Sequence, residues 1–308
     1  MKTQSQQWFR EIETIREKPW DADRPPADPV LPSITAPLHP ELRRLFANIG
    51  VRKTLEPGER LFTGDSSVNS LALVTRGITA RELGLGYGCN AIGIATPGRL
   101  ACGNLNFYSS HACIGNYFAI VSAEVLLVPQ ETLRRVFAKL PDLGWLFSVN
   151  SELCALSDRL TFAAMTMLEA EDRVASFVIA WAANYGVRLR DDEGTEWISI
   201  PSLIQRRYLE KAVKASHTVL DRVLCGWKQR GLLRREGSRV WVRPEALTPC
   251  YEWIRGLEEP SRFARPRTVA EAVAEPEAEA EAAPEPPARR RPAVFRRARP
   301  QNQCVMPA

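Results

Sequence analysis

A chain of 308 residues with 45% hydrophobic residues can hold about two domains with apolar cores, which excludes a wholly disordered protein. It contains no run of about 18 apolar residues and no apolar stretch at its N-terminus. We therefore expect a cytoplasmic protein with no membrane partner. The net charge is only +5, but residues 197–255 hold 12 Lys and Arg against five Asp and Glu, and this local charge of +7 suits a polyanionic partner.

The N-terminal region falls into two parts. Residues 1–40 are predicted to form a flexible arm, since seven prolines lie between positions 19 and 40. Residues 41–142 read as short strands with turn residues between them, such as Pro57-Gly58-Glu59 and Gly77, so we expect a β domain there. Its longest predicted strand is Phe118–Val128.

The period of the apolar residues changes after residue 142. They are spaced alternately by three and four at Leu146, Val149, Leu153, Leu156, Leu160, Ala163 and Met167. This pattern over three heptads predicts a long helix at residues 143–168 that pairs with its counterpart in a homodimer. Packing of the helix on its own β domain is the alternative. Glu169–Asp172 is a predicted hinge, followed by a helix that ends near Gly186 and a polar loop at residues 188–196.

Residues 169–257 have the order of elements of a winged helix-turn-helix. Ile204–Val213 predicts the first helix and His217–Arg230 the second, with Ser216 as the N-cap of the second helix. A basic hairpin follows at residues 232–243. In this motif the second helix enters the major groove of double-stranded DNA.

Individual side chains can be assigned roles on this basis. The residues predicted to contact DNA at the start of the second helix are Ser216, His217, Thr218, Asp221 and Arg222. Of these, His217 and Thr218 can bond to either bases or phosphates. Arg222 can pair with O6 and N7 of guanine, which gives about 1–3 kcal/mol of discrimination. Asp221 either accepts a hydrogen bond from cytosine or orients Arg222, and His217 is alternatively a solvated surface histidine. The residues predicted to contact phosphates are Gln205, Arg206, Lys214 and Arg239.

Other classes of site find little support. The seven cysteines form no CxxC pair, so we expect reduced thiols and no zinc site. The sequence has no glycine-rich phosphate loop and only three scattered histidines, so we do not expect an enzyme. Residues 258–308 are predicted to be a disordered tail with a glutamate-rich and an arginine-rich block, either inert or an aid to phosphate binding.

The order of these segments resembles the Crp–Fnr family of transcription regulators over about residues 40–250. Residues 55–77 (LEPGERLFTGDSSVNSLALVTRG) resemble the family's opening strands, residues 118–129 its final strand and residues 167–182 its hinge. The resemblance implies an α+β fold with an N-terminal β-roll of jelly-roll type, a long dimerisation helix and a C-terminal winged helix-turn-helix. It also makes RNA polymerase a further candidate partner.

The chain departs from the family at the effector site. Cyclic-nucleotide-binding members carry Gly-Glu where this chain has Gly103-Asn104, and Arg-Ser or Arg-Thr where it has Cys113-Ile114-Gly115. Because a buried phosphate needs a cationic partner, we expect no tight binding of cyclic AMP. His111 and Cys113 lie where carbon-monoxide-sensing members carry their haem histidine. Haem is thus a candidate cofactor, although none is otherwise predicted.

Two regulatory hypotheses remain open. In the first, a signal at the β-roll shifts the hinge of a dimeric, sequence-specific regulator; redox sensing by Cys89, Cys102 or Cys113 is a variant of it. In the second, the sensor domain is vestigial and DNA binding is constitutive. The family's Arg-Glu pair aligns with His217 and Thr218, so the target site should also differ from the family's usual half-site.

Overall fold

The computed structural model describes residues 30–62, 69–83, 91–102, 106–109, 115–202 and 204–258. In these ranges the chain is α+β, with two antiparallel four-stranded sheets, a series of helices and a third antiparallel four-stranded sheet. None of the helices there is long and apolar enough to cross a bilayer. Residues 1–29 and the tail from residue 259 lie outside the described ranges.

The first two sheets form the predicted β-roll. One sheet has the order β1 (Val51–Leu55), β8 (Ala123–Pro129), β3 (Ser70–Arg76), β6 (Leu100–Cys102). The other has the order β2 (Arg60–Phe62), β7 (Asn116–Ala119), β4 (Thr79–Leu83), β5 (Ala91–Ala95). Leu55, Val74 and Val125, all fully buried, belong to the core cluster that both sheets contribute to.

The single strand predicted at Phe118–Val128 is wrong, because the chain bends at residues 120–122. The bend sends β7 into one sheet and β8 into the other. Gly77, at φ 77°, lies against it, and a Cβ on Gly77 would be 2.1 Å from the carbonyl oxygen of Ser122. Only glycine tolerates both the left-handed backbone and this approach. The bend has no glycine or proline of its own, so the apolar run resembles one strand.

Four helices surround and extend the roll: α1 (Pro40–Ile49), α2 (Gln130–Lys139), α3 (Pro141–Met167) and α4 (Ala170–Tyr185). The long helix predicted from the heptad pattern is α3, and it ends at Met167. The break between helices is shorter than the predicted hinge at Glu169–Asp172, because residues 170–172 already belong to α4. Helix α4 ends at Gly186 as predicted, but Gly186 is not left-handed (φ −71°). Glycine is required there because a Cβ would lie 2.7 Å from the carbonyl oxygen of Ala182.

The third sheet has the order β11 (Leu233–Glu236), β12 (Arg239–Val242), β10 (Glu196–Pro201), β9 (Val187–Arg190). Helices α5 (Arg206–Ala212) and α6 (His217–Gln229) lie between β10 and β11, and a 3-10 turn (Pro244–Ala246) leads to α7 (Thr248–Glu258). The polar loop predicted at residues 188–196 is wrong at both ends. Residues 187–190 form the edge strand β9, where arginines alternate with apolar residues and make the segment resemble a polar loop. Only residues 191–195 form the turn.

The end of the predicted flexible arm is packed against the fold. Residues 31–37 lie along α3 and hydrogen-bond to its polar side chains. Ser157 Oγ donates to the carbonyl oxygen of Leu31 (2.7 Å), and Asn150 Nδ2 donates to that of Pro37 (3.0 Å). The prediction of an arm up to residue 40 is therefore wrong for this part, since its proline content reflects an extended segment and not a loose one.

The β-roll and the C-terminal helices share one apolar core. Ile94 of β5 and Phe118 of β7 belong to the same buried cluster as Phe177 of α4 and Tyr208 of α5. The rings of Phe118 and Tyr208 are 5.7 Å apart between centroids. An ion pair between Lys211 and Glu82 adds a polar link between α5 and β4.

Candidate nucleic-acid interface

Helices α5 and α6 form a helix-turn-helix whose second helix begins as predicted. Ser216 is the N-cap of α6, and its hydroxyl accepts a hydrogen bond from the backbone N–H of Val219 (3.4 Å). This bond satisfies one of the free amides of the first turn. Lys214, in the turn before it, has a left-handed backbone at φ 48°. A side chain at this conformation costs about 1–2 kcal/mol, so the turn holds Lys214 at some expense of stability.

Arg173 of α4 holds this turn in place. Its Nε donates to the carbonyl oxygen of Val213 (2.9 Å) and its Nη2 to that of Lys214 (3.3 Å). Its Nη1 donates to the carbonyl oxygen of Leu168 (2.7 Å), the C-cap residue of α3. One guanidinium thus links the segment between α3 and α4 to the turn of the helix-turn-helix. A planar guanidinium can do this because its N–H donors point in several fixed directions.

The inner face of α6 is anchored in the core. Leu220 and Trp227 are fully buried, while Val219, Val223 and Leu224 are half-buried. The indole Nε1 of Trp227 donates to Glu171 Oε1 at 2.7 Å. The orientation of α6 is therefore fixed by packing and by a polar contact at its C-terminal half.

The opposite side, which we call the outer face of α6, consists of Thr218, Arg222, Cys225 and Lys228, all exposed. Thr218 and Arg222 are predicted DNA contacts. Lys228 was missed, although its position three residues after Cys225 could have identified it. Arg222 and Lys228 are cations, and the acid that lies between Cys225 and Lys228 around the helix, Asp221, is already paired with Arg206, so the electrostatics of this side suit a polyanion.

A second set of polar residues bridges α5 and α6, and we call it the helix–helix network: Arg206, Glu210, His217 and Asp221. Arg206 Nη2 donates to Asp221 Oδ1 at 2.5 Å, and Arg206 Nε lies 3.6 Å from Glu210 Oε1. The ring nitrogens of His217 face Glu210 Oε1 (2.9 Å) and Asp221 Oδ2 (3.3 Å). Asp221 thus orients Arg206, in place of the Arg222 that the sequence suggested.

The predicted phosphate contacts have different surroundings. Gln205 and Lys214 are exposed. Arg206 belongs to the helix–helix network. Arg239 is half-buried and donates from Nε to Ser199 Oγ (2.6 Å) and from Nη2 to the carbonyl oxygen of Ser199 (2.9 Å), so it braces β12 against β10.

The wing is the hairpin of β11 and β12, with Gly237 in its turn at φ 56°. The guanidinium of Arg234 lies 4.5 Å from the ring centroid of Trp197 and 4.4 Å from that of Trp241. A cation between two indoles stabilises the sheet. The adjacent Arg235 is exposed, so the wing has a basic residue on its surface.

The predicted sensor residues Asn104, His111 and Cys113 lie outside the described ranges. Within those ranges, Arg81 of β4 is paired with Asp158 of α3 at 2.5 Å, with 16% of the arginine side chain exposed. The described chain contains no group of three His, Cys, Asp or Glu side chains that could hold a metal ion. Burial raises the pKa of Cys154 to about 11 and that of Cys250 to about 12, so both are unreactive thiols at neutral pH.

Helix α3 presents the predicted seam on a side that the chain only partly covers. Leu146 is buried, but Leu156 is 37% exposed and Met167 is 66% exposed. Val149, Leu153, Leu160 and Ala163 are half-buried. A different side of the helix, with Asn150 and Ser157, packs on residues 31–37.

No protein-family model matches this sequence, and no curated protein is significantly similar to it. Solved structures do match. FixK2 from Bradyrhizobium japonicum is 15% identical, with a TM-score of 0.55 over 66% of this chain and 96% of that one. A CRP-family transcriptional regulator from Thermus thermophilus is 16% identical, with a TM-score of 0.51 over 65% and 96%.

A cyclic nucleotide-binding domain containing protein from Listeria monocytogenes is also similar. It is 16% identical, with a TM-score of 0.53 over 67% of this chain and 99% of that one. At these identities the likeness is one of fold. The resemblance drawn from the sequence is confirmed at that level, and the chain has the fold of the Crp–Fnr transcription regulators.

Proposed function

We propose that the chain is a dimeric transcription regulator that binds a specific sequence of double-stranded DNA through α6. The observation that carries this proposal is the two-sided character of α6. Trp227 and Leu220 anchor one side in the core, and the other side presents Thr218 and Arg222 to solvent. A rigidly held helix with an exposed polar face fits the major groove, where arginine and threonine contact base edges.

Exposed residues around α6 support phosphate binding. Lys214 lies in the turn before the helix, Arg207 lies on α5 with its guanidinium over the ring of Tyr208, and Arg235 lies on the wing. Such contacts position a protein on DNA and supply most of its affinity without sequence preference. Arg207 was not predicted from the sequence.

The proposed dimer forms through the seam of α3. An exposed apolar side chain such as Met167, in line with the half-buried Leu160 and Leu153, favours a second copy of the same helix as its partner. Two paired α3 helices would set two α6 helices on one face of DNA, about 34 Å apart. RNA polymerase is a further proposed partner of the DNA-bound dimer.

We propose that cyclic AMP is not the effector. Arg81 of β4 is already neutralised by Asp158 of α3, so a cyclic phosphate bound at this cation would have to displace a carboxylate from it. The sequence also lacks the family's anchors at Asn104 and Cys113. We therefore expect excess cyclic AMP to leave the melting temperature unchanged. If cyclic AMP did bind, a concentration of 100 times its Kd would stabilise the fold by about 2.7 kcal/mol.

A constitutive regulator is the second candidate, and the shared core favours it. A signal-driven movement of the DNA-binding helices would have to separate Phe118 from Tyr208 and Lys211 from Glu82. A thermal-shift screen with nucleotides, haem and oxidants tests this candidate. Stabilisation by any of them, together with a change in DNA affinity, would rule out constitutive binding.

Selection of bound duplexes from random DNA tests the main proposal. The full-length chain should enrich a two-fold symmetric site whose half-sites are one helical turn apart. A variant with Trp227→Ala, which removes the anchor of α6, should enrich nothing. Failure of the unmodified, folded chain to enrich any sequence would refute sequence-specific binding, and an enriched site without symmetry would refute binding as a dimer.

A further inference from the structure

The solvent side of α6 has two halves with different surroundings. Asp221 and His217 are bonded to side chains of α5, while Thr218 and Arg222 face solvent. We propose that Asp221 and His217 fix α5 against α6 and read no base, so that base discrimination falls on Thr218 and Arg222. This inference rests on the proposed function, because it divides the roles within the same DNA-binding helix.

Both carboxylate oxygens of Asp221 are already engaged. Oδ1 accepts from Arg206 Nη2 at 2.5 Å, and Oδ2 lies 3.3 Å from His217 Nε2. Each oxygen keeps a second lone pair, but rotation of the carboxylate towards a cytosine amino group would move it away from the two donors on its own motif. Those contacts exist before DNA arrives and need no further ordering, so they favour the carboxylate's present position.

His217 is engaged at both ends of its ring. Nδ1 lies 2.9 Å from Glu210 Oε1 and Nε2 lies 3.3 Å from Asp221 Oδ2. Each ring nitrogen therefore faces a carboxylate of the motif itself. The ring is 67% exposed, so its exposure alone would suggest a DNA contact. Its bonding partners assign it to the helix–helix network.

The same network removes Arg206 from phosphate binding. The network sets two carboxylates against one guanidinium and one imidazole, so it has no excess of positive charge whether or not His217 carries a second proton. A cluster with no excess of positive charge neutralises no phosphate and releases no counterions. The predicted phosphate contact at Arg206 is thereby reassigned to a role in holding the two helices together.

Arg222 has the opposite surroundings. It follows Asp221 by one residue, about 100° further around the helix, and is exposed. No ion pair or hydrogen bond joins its side chain to another part of the described chain. Its guanidinium can therefore turn to O6 and N7 of a guanine without breaking a contact, with Thr218 one turn before it.

Selection from random duplexes with matched variants of the full-length chain tests this division. Asp221→Asn keeps the shape of the side chain and removes its charge, and it should enrich the same sequence as the unmodified chain. Arg222→Ala should lose discrimination at one base of each half-site by roughly 5- to 150-fold. If Asp221→Asn lowers the folded fraction, His217→Gln serves as the test variant in its place. It also leaves Arg222 unchanged and should enrich the same sequence.

A salt titration gives a second measurement. Arg206→Gln should leave the slope of log affinity against log salt unchanged, and it should lower the melting temperature because α5 and α6 lose their link. A phosphate contact from Arg206 would flatten the slope by about 0.9, and that result would overturn its assignment.

The outcomes separate this inference from the function on which it rests. If Asp221→Asn or His217→Gln changes the preferred base at any position, or if Arg222→Ala keeps the whole preference, the division of roles is wrong and the proposed function stands. If the unmodified chain enriches no sequence, the proposed function fails and the division with it. An unchanged preference in both network variants and a lost base in Arg222→Ala support both.

Discussion

The indole N–H of Trp227 donates a hydrogen bond of 2.7 Å to Oε1 of Glu171. Trp227 lies near the end of the proposed recognition helix and Glu171 in the first turn of α4, just after the break that ends α3. Arg230 forms an ion pair with the same carboxylate. The position of α6 is thus tied to the segment that a signal from the β-roll would have to move.

Removing Glu171 should destabilise the fold measurably. Trp227 is fully buried, so Glu171→Ala leaves its N–H without a partner and should lower the free energy of unfolding by about 1–3 kcal/mol. Glu171→Gln keeps an acceptor and should cost less, because only the half-exposed ion pair with Arg230 is lost. Urea unfolding measures both. Glu252→Ala, an exposed acid on α7, is the control and should change the free energy by less than about 0.5 kcal/mol.

A double-mutant cycle separates the hydrogen bond from general packing. Trp227→Phe leaves a cavity whether or not Glu171 is present, so only the hydrogen bond makes the two changes non-additive. We expect the double variant Trp227→Phe/Glu171→Ala to be less destabilised than the sum of the single variants. Additive losses would show that the bond contributes nothing to the position of α6.

Replacement of Lys214 by glycine should stabilise the fold and weaken DNA binding. Its left-handed backbone (φ 48°) is strained for lysine and unstrained for glycine. After allowance for the greater freedom of glycine in the unfolded chain, Lys214→Gly should raise the free energy of unfolding by about 0.5–1 kcal/mol. It should also weaken binding to all sequences alike and reduce the salt slope by about 0.9, since one phosphate contact is lost.

Lys214→Ala is the matched control for this prediction. It removes the same charge and keeps a Cβ on the left-handed backbone, so DNA binding should fall as in Lys214→Gly without the gain in stability. A gain in Lys214→Ala would mean that the backbone strain is not the cause. A change in base preference in either variant would contradict a phosphate contact.

The local elements of the DNA-binding part were predictable because their signals lie close together in sequence. Ser216 caps α6 through an amide three residues away, and Trp227 marks the buried side of the helix, although Leu220, also fully buried, was not predicted to face inward. The strand β9 was missed because Val187 and Leu189 alternate with arginines, which are typical of both an edge strand and a loop.

Contacts between distant residues were beyond the reach of sequence patterns. The pairing of Arg206 with Asp221 depends on the angle between two helices, and nothing in the residue spacing distinguishes it from a pairing of Asp221 with Arg222. One tertiary signal was available. Asn150 and Ser157 lie one heptad apart on α3, and polar residues at this spacing are not expected in an apolar seam. They bind the backbone of the packed segment at residues 31–37.

The seam of α3 should determine the oligomeric state. Leu156→Glu places a charge on an exposed seam position, and two such charges would face each other across a dimer. Sedimentation should show the unmodified chain as a dimer and Leu156→Glu as a monomer at the same concentration. Thr166→Glu adds the same charge at an exposed position on another side of α3 and should stay dimeric. Dimers in both variants would place the interface elsewhere.

Cys225 offers a direct test of which surface meets DNA. It lies at the centre of the outer face of α6, and it is the exposed one among Cys102, Cys154, Cys225 and Cys250. In a chain whose remaining thiols at positions 89, 113 and 304 are replaced by serine, a maleimide should react first with Cys225. Bound DNA should slow this reaction, and the modified chain should no longer bind DNA, because the added group fills the space between helix and groove.

Position 252 provides the matched control for this experiment. Glu252→Cys, combined with Cys225→Ser, places a single exposed thiol on α7 in place of the one on α6. If α6 is the surface that meets DNA, the thiol at position 252 reacts at the same rate with and without DNA, and its modification leaves DNA affinity unchanged. Protection at position 252 with free reaction at Cys225 would mean that another face of the domain binds DNA, since a side chain in the groove must lose access to reagent.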